Sequence, residues 1–244
     1  IFFHGTASSL HTWDSLVKQF PNKRIIRLDL PGYGLTGPHP NADYRTKTYT
    51  QLFDTLCARL KVDSCIVAGN SFGGLLAWQY ALHSAKVKKL MLFNAAGYPI
   101  QNSGGNIGFQ IARTPLLNQL LKHITPRSLF RKSLEQSFGN PASVSDALVN
   151  RHYELTLRPG NRQAIIDRFT YKEKIDTTRL SSLSIPVLIL WGEKDRVIPV
   201  ENARRFARVL PNNKLIIYPT LGHVPMEENA LLVSNDIKAW LQTK

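Results

Sequence analysis

The sequence predicts an α/β fold in which a mostly parallel sheet carries helices on both faces. Three observations support this. Short β-branched runs alternate with helical patterns over most of the 244 residues, as expected of βα units joined by crossovers. The strand candidates read as near-continuous apolar runs, as in Val187-Leu-Ile-Leu-Trp191, which suits strands covered on both sides. A central block then interrupts the alternation without offering a convincing strand. With 43% hydrophobic residues, the chain can bury one large core and still carry an insertion.

An apolar run at 1–3 reads as the remnant of a strand, followed by a helix near 10–20 and a strand at 24–30. A helix over 49–60 leads to a strand at 65–69, a helix at 71–83 and a strand at 87–93. The alternation resumes with strand 186–191, helix 200–209, strand 214–218 and helix 229–242. Residues 97–180 open on Gly97-Tyr98-Pro99 and a Gly/Asn-rich loop at 102–108. Apolar residues then recur at helical spacing through Ile111, Leu116, Leu117, Leu120 and Leu121. Pro126, Pro141 and Pro159 cut the remainder into short helices. The expected organisation is a core in two parts, 1–96 and 181–244, with an all-helical cap or lid over 97–180. The leucines near 111–121 are expected to form the core of that cap, one face being free to line an acyl pocket.

The formal net charge is +14, which raises nucleic acid or an anionic membrane surface as partners. The basic excess is spread along the chain, and no nucleic-acid motif accompanies it. A basic surface without a nucleic-acid partner is therefore expected, and an anionic membrane surface stays open. No stretch reaches the roughly 18 apolar residues of a membrane span, and no signal peptide is visible. The chain opens Ile1-Phe-Phe-His-Gly5 without a methionine and reads as starting inside a buried strand, so upstream sequence is expected. Cys57 and Cys65 are too few for a disulfide framework and lie at no redox or zinc spacing. Both are expected to be free, buried thiols that leave the compartment undetermined. No metal-ligand cluster is evident, and neither metal nor organic cofactor is expected.

The run Cys65-Ile-Val-Ala-Gly-Asn-Ser-Phe-Gly-Gly74 carries the chemistry. Gly69-x-Ser71-x-Gly73 stands between a predicted strand and a predicted helix, the context of a nucleophile elbow. A serine on so sharp a turn crowds the residues two before and two after it, which calls for Gly69 and Gly73. Serine is a weak nucleophile and needs a base, an acid to orient that base, and donors for the oxyanion. Asp195 follows the strand ending at Trp191, and His223 follows the strand ending at Tyr218. The backbone N–H of Thr6, after the first apolar run, can join that of Phe72 as an oxyanion hole. His4 is read as structural, packing under that loop. Glu227 and Glu228 are read as serving a helix start.

In the order Ser71, Asp195, His223, these residues resemble the α/β-hydrolase family of the capped kind. The resemblance covers nearly the whole chain. The family pattern G-x-x-D selects Asp195 over Glu193, while families that place the acid one strand earlier would need one near Asn94. Because the H-G loop follows strand 3 in that family, strands 1, 2 and part of 3 are expected upstream of Ile1. The segments His4–Asp14 and Arg27–Gly37 also resemble a bacterial group of esterases and phospholipases whose members can carry an N-terminal membrane anchor. That likeness implies a membrane-associated protein if such an anchor precedes Ile1, and a cytoplasmic one otherwise. The resemblance implies hydrolysis of acyl or lipid-like carboxylic esters through an acyl-enzyme. Two alternatives accompany it. Gly69-Asn-Ser-Phe-Gly-Gly74 is similar to the elbow of carbon–carbon bond hydrolases of the meta-cleavage type, although their tryptophan after the histidine is Val224 here. A non-catalytic small-molecule receptor can also be built on such a fold.

Overall fold

The computed structural model describes residues 1–99, 106–171 and 173–242. Five strands form one sheet in which each pairs in parallel with the next in sequence: β1 (Phe2–Phe3), β2 (Cys65–Asn70), β3 (Val87–Phe93), β4 (Val187–Gly192) and β5 (Asn213–Tyr218). Their apolar character on both sides has a simple cause. Phe3, Leu90, Leu92, Val187, Ile189 and Trp191 point into one buried cluster, while Phe2, Met91, Phe93, Leu188 and Leu190 point into another on the opposite face. The period-2 alternation is present, but both of its faces are core.

Helices α1 (Asp14–Val17) and α2 (Thr46–Arg59) precede β2, and α3 (Phe72–His83) joins β2 to β3. Helix α9 (Glu201–Val209) lies between β4 and β5, and α10 (Pro225–Glu228) and α11 (Ala230–Gln242) close the chain. Val233, Ile237 and Trp240 of α11 pack with Leu16 of α1 against one face of the sheet; Phe53 of α2, Leu76 of α3 and Phe206 of α9 cover the other. The helix expected near 10–20 is a 3₁₀ turn at Leu10–Trp13 running into α1.

Between β3 and β4 the described residues hold helices and no strand: α4 (Ile107–Arg113), α5 (Leu117–Leu121), α6 (Arg127–Ser137), α7 (Asp146–Leu157) and α8 (Asn161–Thr170). Most of the loop expected at 102–108 lies outside the described residues.

Three expectations are corrected, the third being the burial of Cys65. Residues 24–30 form no strand; Arg27 alone bridges to Phe2, and the Leu30 N–H goes to the His4 ring instead of to a strand carbonyl. Leu116, Leu117 and Leu120 are not buried core: they are 84%, 48% and 56% exposed. Cys57 is free and buried, whereas Cys65 is free and only half-buried. Among the described residues no helix is long and apolar enough to cross a membrane.

Candidate active site

Strand β2 ends at Asn70, and Ser71 then adopts φ 54°, ψ −118° before α3 begins. A positive φ on a residue with a Cβ costs of order 1–3 kcal/mol and persists only where its surroundings over-determine it. They do so here. The Ser71 N–H donates to Phe93 O (3.1 Å), and its carbonyl accepts from Leu75 N (3.1 Å) and Ala96 N (2.9 Å). The flanking glycines are demanded by close backbone approach: a Cβ on Gly69 would collide with the Gly73 carbonyl, and one on Gly73 with the carbonyls of Phe3 and His4. The turn thus jams α3 against the end of β1 and lifts Ser71 out of the sheet.

Asp195 and His223 stand at the ends of β4 and β5. The His223 Nδ1–H donates to Asp195 Oδ2 at 2.7 Å. The same carboxylate accepts from the amides of Val197 (2.7 Å) and Ile198 (2.9 Å) through Oδ1, and from Asn94 Nδ2 (2.7 Å) through Oδ2. Four donors around a buried carboxylate satisfy an ionised acceptor, fix its plane and leave His223 Nε2 as the free acceptor of the ring. Sequence reasoning noted Asn94 only as a position without an acid and missed its role as a donor. Fully buried at the end of β3 with φ 43°, it also donates to Gly222 O (3.3 Å). It therefore ties the acid's loop to the histidine's loop. An amide at the carboxyl end of a buried strand, next to the strand bearing the acid, was the available signal.

Glu228 does more than begin a helix. Its carboxylate accepts from Gly222 N and from Gly139 N, each at 2.7 Å, so it clamps the His223 loop to the segment after α6. Burial pushes its pKa up, against the pull of those amide bonds. Glu227 reaches Thr12 and Arg151 instead.

The loop after β1 is held by His4. Its Nδ1–H donates to Gly5 O (2.8 Å) and its Nε2 accepts from Leu30 N (2.9 Å), which assigns the neutral Nδ1–H tautomer. Burial drives its pKa down to about 4. Thr6, two residues on, lines the site beside Ser71. Among the described residues neither the Thr6 nor the Phe72 N–H has a protein acceptor; Phe72 opens α3, where first-turn amides have none within the helix.

Ser71 stands between two pockets. One is apolar and shared with His223; Phe109, Leu129, Phe130, Leu134, Ile165 and Val224 contribute its walls. The other runs past Thr6 and Phe72 toward Arg113 and Arg168. All five chemistry-bearing positions expected from sequence (Thr6, Ser71, Phe72, Asp195 and His223) are thus brought to one end of the sheet. The Ser71 Oγ to His223 Nε2 hydrogen bond is not formed among the described residues; such contacts often tighten only when substrate is bound.

A family model described as alpha/beta hydrolase fold matches residues 1–230. "Lipase 1" of Psychrobacter immobilis is 24% identical over 246 residues, covering 98% of this chain and 75% of the lipase. A 2-hydroxy-6-oxo-2,4-heptadienoate hydrolase of Pseudomonas putida is 25% identical over 242 residues, covering 94% and 84%. Among solved structures, a meta-cleavage product hydrolase from Pseudomonas fluorescens superposes with a TM-score of 0.85 at 20% identity, covering 98% of this chain and 89% of that one.

Proposed function

From the premise that this chain belongs to the alpha/beta hydrolase fold family, we propose that it is a serine hydrolase cleaving carboxylic esters with an apolar arm. The observation that carries this reading is the clamped Asp195–His223 pair, whose free Nε2 shares an apolar pocket with the strained Ser71. In the proposed reaction His223 takes the Ser71 proton as Oγ attacks the ester carbonyl. Asp195 holds the imidazole tautomer and stabilises the imidazolium. The N–H groups of Thr6 and Phe72 receive the charge developing on the carbonyl oxygen. His223 then protonates the departing alcohol and activates a water that releases the acid from Ser71. The helical segment between β3 and β4 acts as the cap, because α4, α6 and α8 supply most of the apolar wall. The lipase relative supports the ester reading.

Carbon–carbon bond hydrolysis is the second reading, favoured by Gly69-Asn-Ser-Phe-Gly-Gly74 and the Pseudomonas putida relative. Val224, which lines the pocket directly after His223, counts against it.

The test measures p-nitrophenyl esters of graded acyl length with wild type and Ser71→Ala. The expected loss in kcat is about 10,000-fold or more, since removal of a nucleophile leaves only oxyanion stabilisation and binding. Equal slow turnover by both proteins defeats the proposal. Turnover confined to a vinylogous diketone selects the carbon–carbon reading.

A further inference from the structure

The second pocket at Ser71 has an electrostatic character that ester hydrolysis alone does not require. Arg168, from α8, lays its guanidinium over the Phe72 ring with its carbon 4.2 Å from the ring centroid. Arg113, at the end of α4, lies over Phe169 at 4.8 Å. Both line the pocket together with Ser71, Thr6 and Phe72. Neither makes a hydrogen bond or ion pair among the described residues, and the Arg168 Nε is buried with nothing to donate to. No carboxylate among the described residues lines the pocket. Desolvation, and then the neighbouring Arg168 charge, lower the pKa of Arg113.

Two like charges facing one cavity repel, and a buried donor without an acceptor does not recover the hydrogen bond it gave up to water. Stacking on aromatic faces leaves the edge of a guanidinium free to donate. Arg27, which meets Asp14, and Arg127 and Arg131, which meet Asp146, show the carboxylate partner that the pair at the nucleophile lacks among the described residues.

We infer that Arg113 and Arg168 form an anion subsite, so that the substrate is an ester with one apolar arm and one arm ending in a carboxylate or phosphate. The inference rests on the proposed ester hydrolysis at Ser71. The apolar arm occupies the pocket shared with His223, and the anion lies between the two guanidinium groups. Planar donor forks suit both carboxylate and phosphate oxygens.

Two substrate pairs distinguish where the anion sits. p-Nitrophenyl hexanoate against mono-p-nitrophenyl adipate adds a carboxylate to the acyl arm. A monoacylglycerol against the lysophosphatidic acid of equal chain length adds a phosphate to the alcohol arm. In at least one pair the anionic member is expected to have a tenfold or greater advantage in kcat/KM. Arg168→Gln reduces that ratio about tenfold and Arg113→Gln about threefold; Arg168→Lys retains part of it; Arg204→Gln, on the exposed face of α9, leaves it unchanged. Calorimetry on Ser71→Ala with hexyl phosphate, hexanoate and hexanol supplies a readout without turnover. At least one anion should bind tenfold tighter than the alcohol, and the preference should vanish in the Arg113→Gln/Arg168→Gln background. Equal binding of all three ligands, or a preference that survives the double substitution, overturns the subsite. Arginine-dependent binding without ester turnover instead overturns the ester reading and leaves the subsite standing.

Discussion

The end of the sheet around Ser71 and the helical segment between β3 and β4 meet at one cavity but are built differently. At the sheet end the groups that aim the histidine are held by backbone or by a buried side chain, as with Asp195 and its four donors. Strain at Ser71 is tolerated because three backbone hydrogen bonds and packed glycines leave it no alternative. In the helical segment, α5 exposes Leu117 and Leu120 and α6 buries none of its residues. Arg113 and Arg168 stack on rings and make no hydrogen bond among the described residues. Rigid placement is what proton transfer and oxyanion stabilisation need. A segment with fewer obligatory contacts can change its pocket walls without disturbing that placement. Reaction type therefore belongs to the sheet end, and substrate choice to the helices.

The largest test of this contrast is acid stability. His4 at the sheet end has its pKa driven from 6.5 to about 4 by burial; His152, on α7, is also lowered by burial. Below pH 6.5 the unfolded chain takes up protons that the folded His4 refuses. Stability is thus complete above about 6.5 and falls as pH drops toward 4. At ~1.4 kcal/mol per pH unit, the His4 contribution amounts to about 3 kcal/mol over the window from 6.5 to about 4. Denaturant melts of wild type and His152→Gln between pH 7 and 4.5 should both show the decline. A flat wild-type profile would mean that the sheet end is not locked around a neutral His4. A decline abolished by His152→Gln would move the acid-sensitive point into the helices.

Next in size is Asn94. Asn94→Ala removes a donor from a buried carboxylate, and a hydrogen bond to a charged group contributes about 1.5–3 kcal/mol. Alanine also fits a φ of 43° less well than asparagine does. The expected result is a loss of about 2 kcal/mol in stability. On folded protein, kcat should fall by roughly tenfold with KM unmoved, because Asn94 orients Asp195 without touching substrate. A kcat within twofold of wild type would show that the two amides of Val197 and Ile198 suffice to aim the carboxylate.

Asn94 also marks how far the sequence could be read. Ser71, Asp195, His223, Thr6 and Phe72 were legible because each sits where a strand ends, and strand ends follow from short apolar runs and the turns after them. Asn94 sits at such an end too, but its role depends on pairing β3 with β4, which residues 94–186 separate with no local pattern to join them. Arg113 and Arg168 escaped for the same reason: they converge only through the packing of α4 on α8. The run at 24–30 had strand composition, but it makes a single bridge and its Leu30 N–H is taken by the His4 ring. Local periodicity reports the period of an element, whereas the neighbour that completes a site is a tertiary fact.

The smallest expected effect probes the leucines of α5. Helical spacing made them core, and a buried leucine cut to alanine costs about 2–5 kcal/mol. Leu117 and Leu120 are 48% and 56% exposed, so each surface substitution should stay within about 0.5 kcal/mol. Leu117→Ser/Leu120→Ser is therefore expected to unfold within about 1 kcal/mol of wild type, measured by urea titration. The difference between these outcomes is several-fold, so a single melt decides it. A loss of 2 kcal/mol or more would mean that α5 packs as its sequence spacing suggests. The helical segment would then be held as firmly as the sheet end, and the division between fixed chemistry and adaptable pocket would fail at its softest point.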